Sequence, residues 1–154
     1  MNKAIAMMAI AAAMTLSACS GDGCTDNSSS IPLAGFFKSG KAVSLSDISL
    51  RGLGAPGDSL LLKQQTVTEV YLPLRPKASN CQFEIDYNLD GGDLRDTISI
   101  DYSSTPAFAS VDCGAMLNFE IKGFGYTRHA IDSITLVRPV VTNENAVTFK
   151  IHMR

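Results

Sequence analysis

Thr97-Ile98-Ser99-Ile100-Asp101-Tyr102 alternates polar and apolar residues without a break. Successive side chains of an extended strand point to opposite faces, so this stretch has one apolar face and one polar face: a half-buried strand. Just upstream, Cys81, Phe83, Ile85 and Tyr87 repeat the same period. Between the two runs lies Asp90-Gly91-Gly92-Asp93, whose residues suit a tight turn, so the pair reads as a β-hairpin. Working outward, Val43, Leu45, Ile48 and Leu50 form β-like runs, and Gly52-Leu53-Gly54-Ala55-Pro56-Gly57 breaks the chain. Leu60 and Leu62 resume a strand, as does Val67 to Leu72 before Pro73 and Pro76. Leu117, Phe119 and Ile121 precede Gly123 to Gly125; Ile134 and Leu136 lead to Pro139; Val147, Phe149 and Ile151 close the chain. About eight strands at a spacing of roughly 10 to 15 residues, with no helical period, predict an all-β fold. The expected architecture is a single antiparallel β-sandwich over residues 31–154, with a barrel-like closure as the alternative. Ile31 to Lys38 is the one place where a short helix would fit, and its pattern does not assign one.

The N-terminus has a different logic. Lys3 is followed by a small and apolar run from Ala4 to Leu16 and then by Ser17-Ala18-Cys19. A basic start, a short apolar middle and small residues before a cut are the layout of an export signal. The run is about 13 residues, against the roughly 20 that a membrane-spanning helix needs. Leu16-Ser17-Ala18-Cys19 resembles the bacterial lipobox, which implies cleavage after residue 18 and a diacylglyceryl group on the Cys19 thiol. Two acyl chains anchor stably where one is marginal. The expected partner is therefore the membrane, reached through a lipid rather than through a spanning segment. Ser20 to Ser30 is rich in Gly, Ser, Asp and Asn and reads as a flexible tether. The expected organisation is residues 1–18 signal peptide, 19–30 lipidated tether and 31–154 sandwich.

Without Lys3, 12 Lys and Arg remain against 15 Asp and Glu, a net charge of about −3. The basic residues are scattered, which argues against nucleic acid. Of the four cysteines, a lipidated Cys19 leaves Cys24, Cys81 and Cys113, enough for one internal disulfide. Spacing alone allows three pairings. The polar, turn-like surroundings of Cys24 and Cys113 favour that pair, while Cys81 falls on the apolar face of its strand as a small buried residue. No Cys/His spacing of a zinc site occurs, and no cofactor motif.

One triplet recurs: Asp58-Ser59-Leu60, Asp96-Thr97-Ile98 and Asp132-Ser133-Ile134. Composition alone predicts roughly one. An Asp that caps a turn before a strand explains part of this. The triplet is also similar to the acceptor of the periplasmic O-glycosylation system of Bacteroides-type bacteria. That resemblance implies Ser59, Thr97 and Ser133 as sugar-bearing positions, each expected to face away from the aliphatic side of its strand. Asp86, Asp90, Asp93, Asp96 and Asp101 gather around one turn. Calcium takes about six to eight oxygen ligands, but this is not the spacing of an EF-hand, and a solvated hairpin is the simpler reading. His129 and His152 have no nucleophile or carboxylate at a recognisable spacing and read as solvated surface residues. No Gly-x-Ser-x-Gly elbow or phosphate-binding glycine loop is present.

Asp26-Asn27-Ser28-Ser29-Ser30 with Pro32-Leu33, Leu53 to Ser59, Tyr71-Leu72-Pro73-Leu74, Asp96-Thr97-Ile98, Cys113-Gly114 and Ala130-Ile131-Asp132-Ser133 together resemble an uncharacterised family of small lipoproteins of Bacteroides-type bacteria. The resemblance covers nearly all of the mature chain. It implies an envelope location and a Cys24–Cys113 bond, and it implies no activity. By analogy, Ser20 beside the lipid favours the outer membrane, and the single acid in Ser20-Gly21-Asp22-Gly23 leaves both of its faces open. The expected role is a non-enzymatic module that binds or scaffolds another envelope protein. The alternative is a glycan- or calcium-binding lipoprotein using the Asp86 to Asp101 region.

Overall fold

The computed structural model of the protein describes residues 30–54, 57–89, 92–111 and 113–154. The expected signal segment, Cys19, Cys24 and the turn residues Asp90 and Gly91 lie outside them. Within them the chain is all-β: β1 (Leu33–Lys38), β2 (Lys41–Ala42), β3 (Leu45–Leu53), β4 (Ser59–Val67), β5 (Glu69–Tyr71), β6 (Asn80–Leu89), β7 (Gly92–Ser110), β8 (Gly114–Tyr126), β9 (Ile131–Leu136), β10 (Val140–Val141) and β11 (Val147–Met153). The strands that alternation predicts are all present. The three beyond them have physical reasons for escaping it. β2 and β10 are two residues each, too short to show a period. β1, where a helix was the alternative, is buried over its first four residues, so both faces are apolar and nothing alternates.

The strands form two sheets. One has the order β2-β1-β11-β9, with β5 also pairing β1; the other has the order β10-β8-β7-β6-β3-β4. Every pair is antiparallel except β1 and β11, which run parallel from Leu33↔Val147 to Phe37↔His152. The parallel pair brings the start of the domain against its end, with the rest of the chain as the crossover that parallel neighbours require. The β6–β7 hairpin runs in continuous register from Asn80↔Asp101 to Leu89↔Gly92. Its apolar face, Cys81, Phe83, Ile85 and Tyr87 with Ile98, Ile100 and Tyr102, is buried. Phe36, Phe149, Ile151 and Ile131 of the other sheet belong to the same core. Each such side chain contributes about 1.5–3 kcal/mol of burial, and this shared core holds the sheets face to face.

One buried residue is charged. Period-two alternation carried back from Ile98 puts Asp96 on the core face, and its exposure is 0%. The chain leaves β8 in one sheet at Tyr126 and enters β9 in the other at Ile131. Asp96 holds that crossing. Its Oδ1 accepts from the Thr127 hydroxyl at 2.7 Å and the His129 amide at 2.8 Å, and its Oδ2 from the Ala130 and Ile131 amides at 2.8 and 2.9 Å. Thr127 Oγ1 in turn accepts from the Thr97 amide at 2.9 Å. Burial alone raises the pKa of Asp96, but the hydrogen bonds from His129, Thr127, Ile131 and Ala130 outweigh it and hold the carboxyl below its ordinary value.

Close to this clamp, the Tyr87 hydroxyl is buried with no hydrogen-bond partner among the described residues. Burial, and then the Asp96 charge, push its pKa far up. A buried hydroxyl without a partner costs about 1–3 kcal/mol. Tyr87→Phe is therefore expected to leave stability unchanged or raise it by about 1 kcal/mol in urea unfolding, and a loss of more than that would mean the hydroxyl has a partner. Asp96→Ala strands several buried amides and should cost about 3 kcal/mol or more. Because the folded carboxyl titrates below the unfolded one, its stabilisation is complete above the unfolded value of about 3.9 and is lost as pH falls through the folded value. Acid titration of stability should thus fall less steeply below about pH 4 in Asp96→Ala than in the parent.

Candidate functional site

The two sheets meet unequally at their rims. On one side β4, the last strand of its sheet, faces β5 across an opening. β4 is exposed over most of its length because it has a neighbour on one edge only. Two hollows lie in this opening. The first, about 250 Å³, is bounded by Gly52 and Leu53 of β3, Ser59 and Leu61 of β4, Pro73 to Pro76, and Cys81 to Phe83 of β6. The second, about 290 Å³, lies between Leu50, Leu61 and Leu62 and the β5 residues Glu69 to Tyr71. They share Leu61 and Pro73, so together they make one apolar groove along the open rim. Leu61 and Tyr71 expose 40% and 49% of their surface there.

The groove's inner wall is braced by Tyr102. Its hydroxyl donates to the Arg75 carbonyl at 2.8 Å, accepts from the Arg75 amide at 3.0 Å and lies 3.1 Å from Cys81 Sγ. Its ring stands edge-on to Phe119 with centroids 5.6 Å apart. Burial first, and then the bond to Cys81, push its pKa up to about 12. The Arg75 guanidinium donates to the carbonyls of Gly54 and Asn80, so it ties the turn after β3 to the start of β6 at the mouth of the groove. Sequence reading missed Arg75 and Tyr102 as a pair because the tie runs between a linker and a strand 27 residues apart. The rigid wall and the open rim offer a surface for binding an apolar chain.

The residues singled out from sequence are placed as follows. Asp58 has a positive φ of 42° and accepts from the Gly54 amide at 2.9 Å; Asp96 caps the β8–β9 crossing; Asp132 pairs with Arg128 at 3.2 Å. The turn-capping account therefore covers Asp58 and Asp96. Ser59 is exposed, whereas Thr97 and Ser133 are half-buried. Of the acidic cluster, the three residues whose side chains are described do not converge: Asp86 pairs with Arg95 at 3.2 Å, Asp101 accepts from Asn80 at 2.6 Å, and Asp96 points inward. Among the described residues no three His, Cys, Asp or Glu side chains are placed to share a metal ion. Cys81 is buried and free, in the place alternation assigns it, while Cys113 is not free. Cys24, Cys19, Asp90 and the side chain of Asp93 lie outside what the structure describes.

The histidines need a correction. His129 is not merely solvated: its Nδ1 lies 3.2 Å from Asp96 Oδ1, a carboxylate 33 residues away that no local spacing reveals. Its amide donates to the same carboxylate, so the contact belongs to the loop clamp. His152 lies beside Thr135 Oγ1 at 3.3 Å and tilts against Phe37.

These features define a class, a small two-sheet β-sandwich with one clamped rim and one open apolar rim. The chain belongs to a family of unknown function, DUF6452, which matches residues 48–153. No curated protein and no solved structure matches the chain. No helix among the described residues is long and apolar enough to cross a membrane.

Tyr102→Phe removes the hydroxyl and leaves the Arg75 amide without its partner, a loss of about 1–2 kcal/mol at neutral pH. Since the folded phenol titrates above the unfolded one, its stabilisation is present below about pH 10 and is lost as pH rises through about 12. The parent should therefore lose stability across that interval more steeply than Tyr102→Phe, as read by urea midpoints.

Proposed function

We propose that this protein is a non-enzymatic, lipid-anchored module of the bacterial cell envelope, held at the outer membrane, that binds an extended apolar segment of another envelope protein. The groove between β4 and β5 carries this reading. The free edge of β4 offers backbone N–H and C=O groups to a partner strand, and the two hollows flanking Leu61 offer places for its side chains. Edge strands left open in this way are a liability that proteins otherwise blunt or cover. β4 carries one charge, Lys63, which discourages indiscriminate pairing and leaves Leu60 and Leu61 to a specific partner.

The anchor reading rests on Leu16-Ser17-Ala18-Cys19 and assigns the lipid to Cys19. With it goes a Cys24–Cys113 bond. Cys81 is free and Cys113 is not, and Ser30, the first described residue, lies beside Asn118 with its Oγ 3.5 Å from Oδ1. From Asn118 back to Cys113 is five residues of chain at the start of β8, about 17 Å at strand rise. The six residues from Ser30 back to Cys24 reach about 20 Å when extended, enough to close the bond. Of the proposed sugar-bearing positions, Ser59 has the exposure that an acceptor needs, and Thr97 and Ser133 have less.

The test is cross-linking in intact cells, followed by capture of the lipidated protein and mass spectrometry. One partner in near-equal amount is expected. Leu61→Glu should reduce its recovery about tenfold or more while leaving the melting temperature nearly unchanged, since the side chain is a partly exposed anchor. Undiminished recovery with Leu61→Glu would remove the groove from the interface.

A further inference from the structure

The open groove has a polarity along its length. β4 borders it from Ser59, at the hollow that Arg75 helps to line, to Leu62, at the hollow beside β5. That stretch is about 13 Å at strand rise. Just beyond it the strand kinks at Gln64, whose φ is 44° and whose amide donates back to Ser49 Oγ of β3 at 3.1 Å. The β3–β4 register also shifts there, as at a bulge that ends an edge. The usable edge is therefore short, and charges of opposite sign mark its two ends: Arg75 at the Ser59 end and Glu69 at the β5 end.

Neither charge has an ion-pair partner among the described residues. Arg75 is exposed, and its guanidinium is held by main-chain carbonyls, those of Gly54 and Asn80, rather than by a carboxylate. The acids bonded to those same two residues serve other donors: Asp58 takes the Gly54 amide and Asp101 takes the Asn80 side chain. A guanidinium has more donors than the two carbonyls use, and its planar fork matches a carboxylate. Fixed in this way beside an apolar hollow, it is pre-organised for an incoming anion that is attached to an apolar chain. Glu69, exposed on β5, sets the opposite preference at the far end.

The charges also set a direction. β4 runs from Ser59, at the Arg75 end, toward Val67. A strand added antiparallel to it, the more stable pairing, runs the other way and finishes at Arg75. We propose that the groove takes the C-terminal end of its partner: an apolar strand whose terminal carboxylate pairs with Arg75 and whose upstream residues lie beside Glu69. It rests on the groove reading given above. The short edge agrees with it, because a chain end needs only a few paired residues where a through-going strand would meet the kink at Gln64. The net charge of −2 opposes anions at long range, so the preference for a carboxylate is local to Arg75. Arg75 is then a specificity-determining residue as well as the tie between β3 and β6.

The probe is a library of short peptides with Val, Ile or Leu at alternate positions, made once with a free C-terminal carboxyl and once as the carboxamide. The full chain is immobilised, and retained peptides are counted by mass spectrometry. Each free acid should be retained about tenfold or more over its own amide. Lys should be favoured over Glu near the N-terminal end, and Glu69→Lys should reverse that choice. Arg75→Gln should abolish the preference for the acid, and Arg75→Lys, which keeps the charge, should restore part of it. If the parent retains no peptide beyond the level of Leu61→Glu, the groove reading fails and this proposal falls with it. If the parent retains peptides that Leu61→Glu does not, but acid and amide alike, the carboxylate proposal alone is overturned. Equal retention of amides that carry an internal Asp or Glu would assign Arg75 to a side chain and likewise overturn it. The acid-to-amide ratio is read on the parent, and Glu69 is exposed, so these readouts stand even where Arg75→Gln loses its fold.

Discussion

The arrangement depends on one carboxylate. The chain passes between the two sheets after β2, β4, β5, β8, β9 and β10. Each passage must satisfy backbone groups that no sheet ladder can reach. At the passage from β8 to β9 the amides of His129, Ala130 and Ile131 all turn inward, and Asp96 of the neighbouring strand accepts from every one of them. A buried charge is tolerated only when it is fully bonded, and this one is. The bonds stabilise the charged form enough to overcome burial. β9 is thereby delivered to β11, and with it the edge of the first sheet.

That clamp divides the molecule into a closed side and an open side. On the Asp96 side, core residues of both sheets, Ile98 and Tyr87 with Ile131 and Ile134, share one buried cluster. At the other rim β4 and β5 are not hydrogen-bonded to each other, and the gap fills only partly, with Leu61, Pro73 and Phe83. The Tyr102–Arg75–Cys81 cluster makes the inner wall of that gap rigid. A rigid wall lowers the ordering cost of binding, which is what an edge able to accept a partner strand needs. The DUF6452 match begins at Ile48, inside β3, yet β1 lies at the middle of the first sheet, paired with β11. The folding unit is therefore longer than the stretch matched by the family.

Much of the architecture was legible in advance because it depends on a local property. Where one face of a strand is wet, alternation shows it, as along Ile98, Ile100 and Tyr102. β1 lacks that signature because both of its faces are dry, and β2 and β10 are too brief to have one. The same alternation, carried two residues further, would have found Asp96 on the buried face. A charged residue there looks like the end of a strand, so the recurring Asp-Ser/Thr triplet drew attention to Thr97 instead. The groove gave no such warning. Leu61, Tyr71 and Cys81 come from three strands and are ordinary residues in each.

Sequence alone determined the all-β class and the eight strands with a wet face, the two-faced hairpin at the centre of the second sheet and the burial of Cys81, because each follows from side-chain period over a few residues. Only the tertiary structure decided which rim closes and which stays open, and that Asp96 serves a loop more than 30 residues away. Those outcomes depend on which strands meet, and strand pairing is a long-range choice made by the whole core at once. No local pattern around Asp96 encodes its partners.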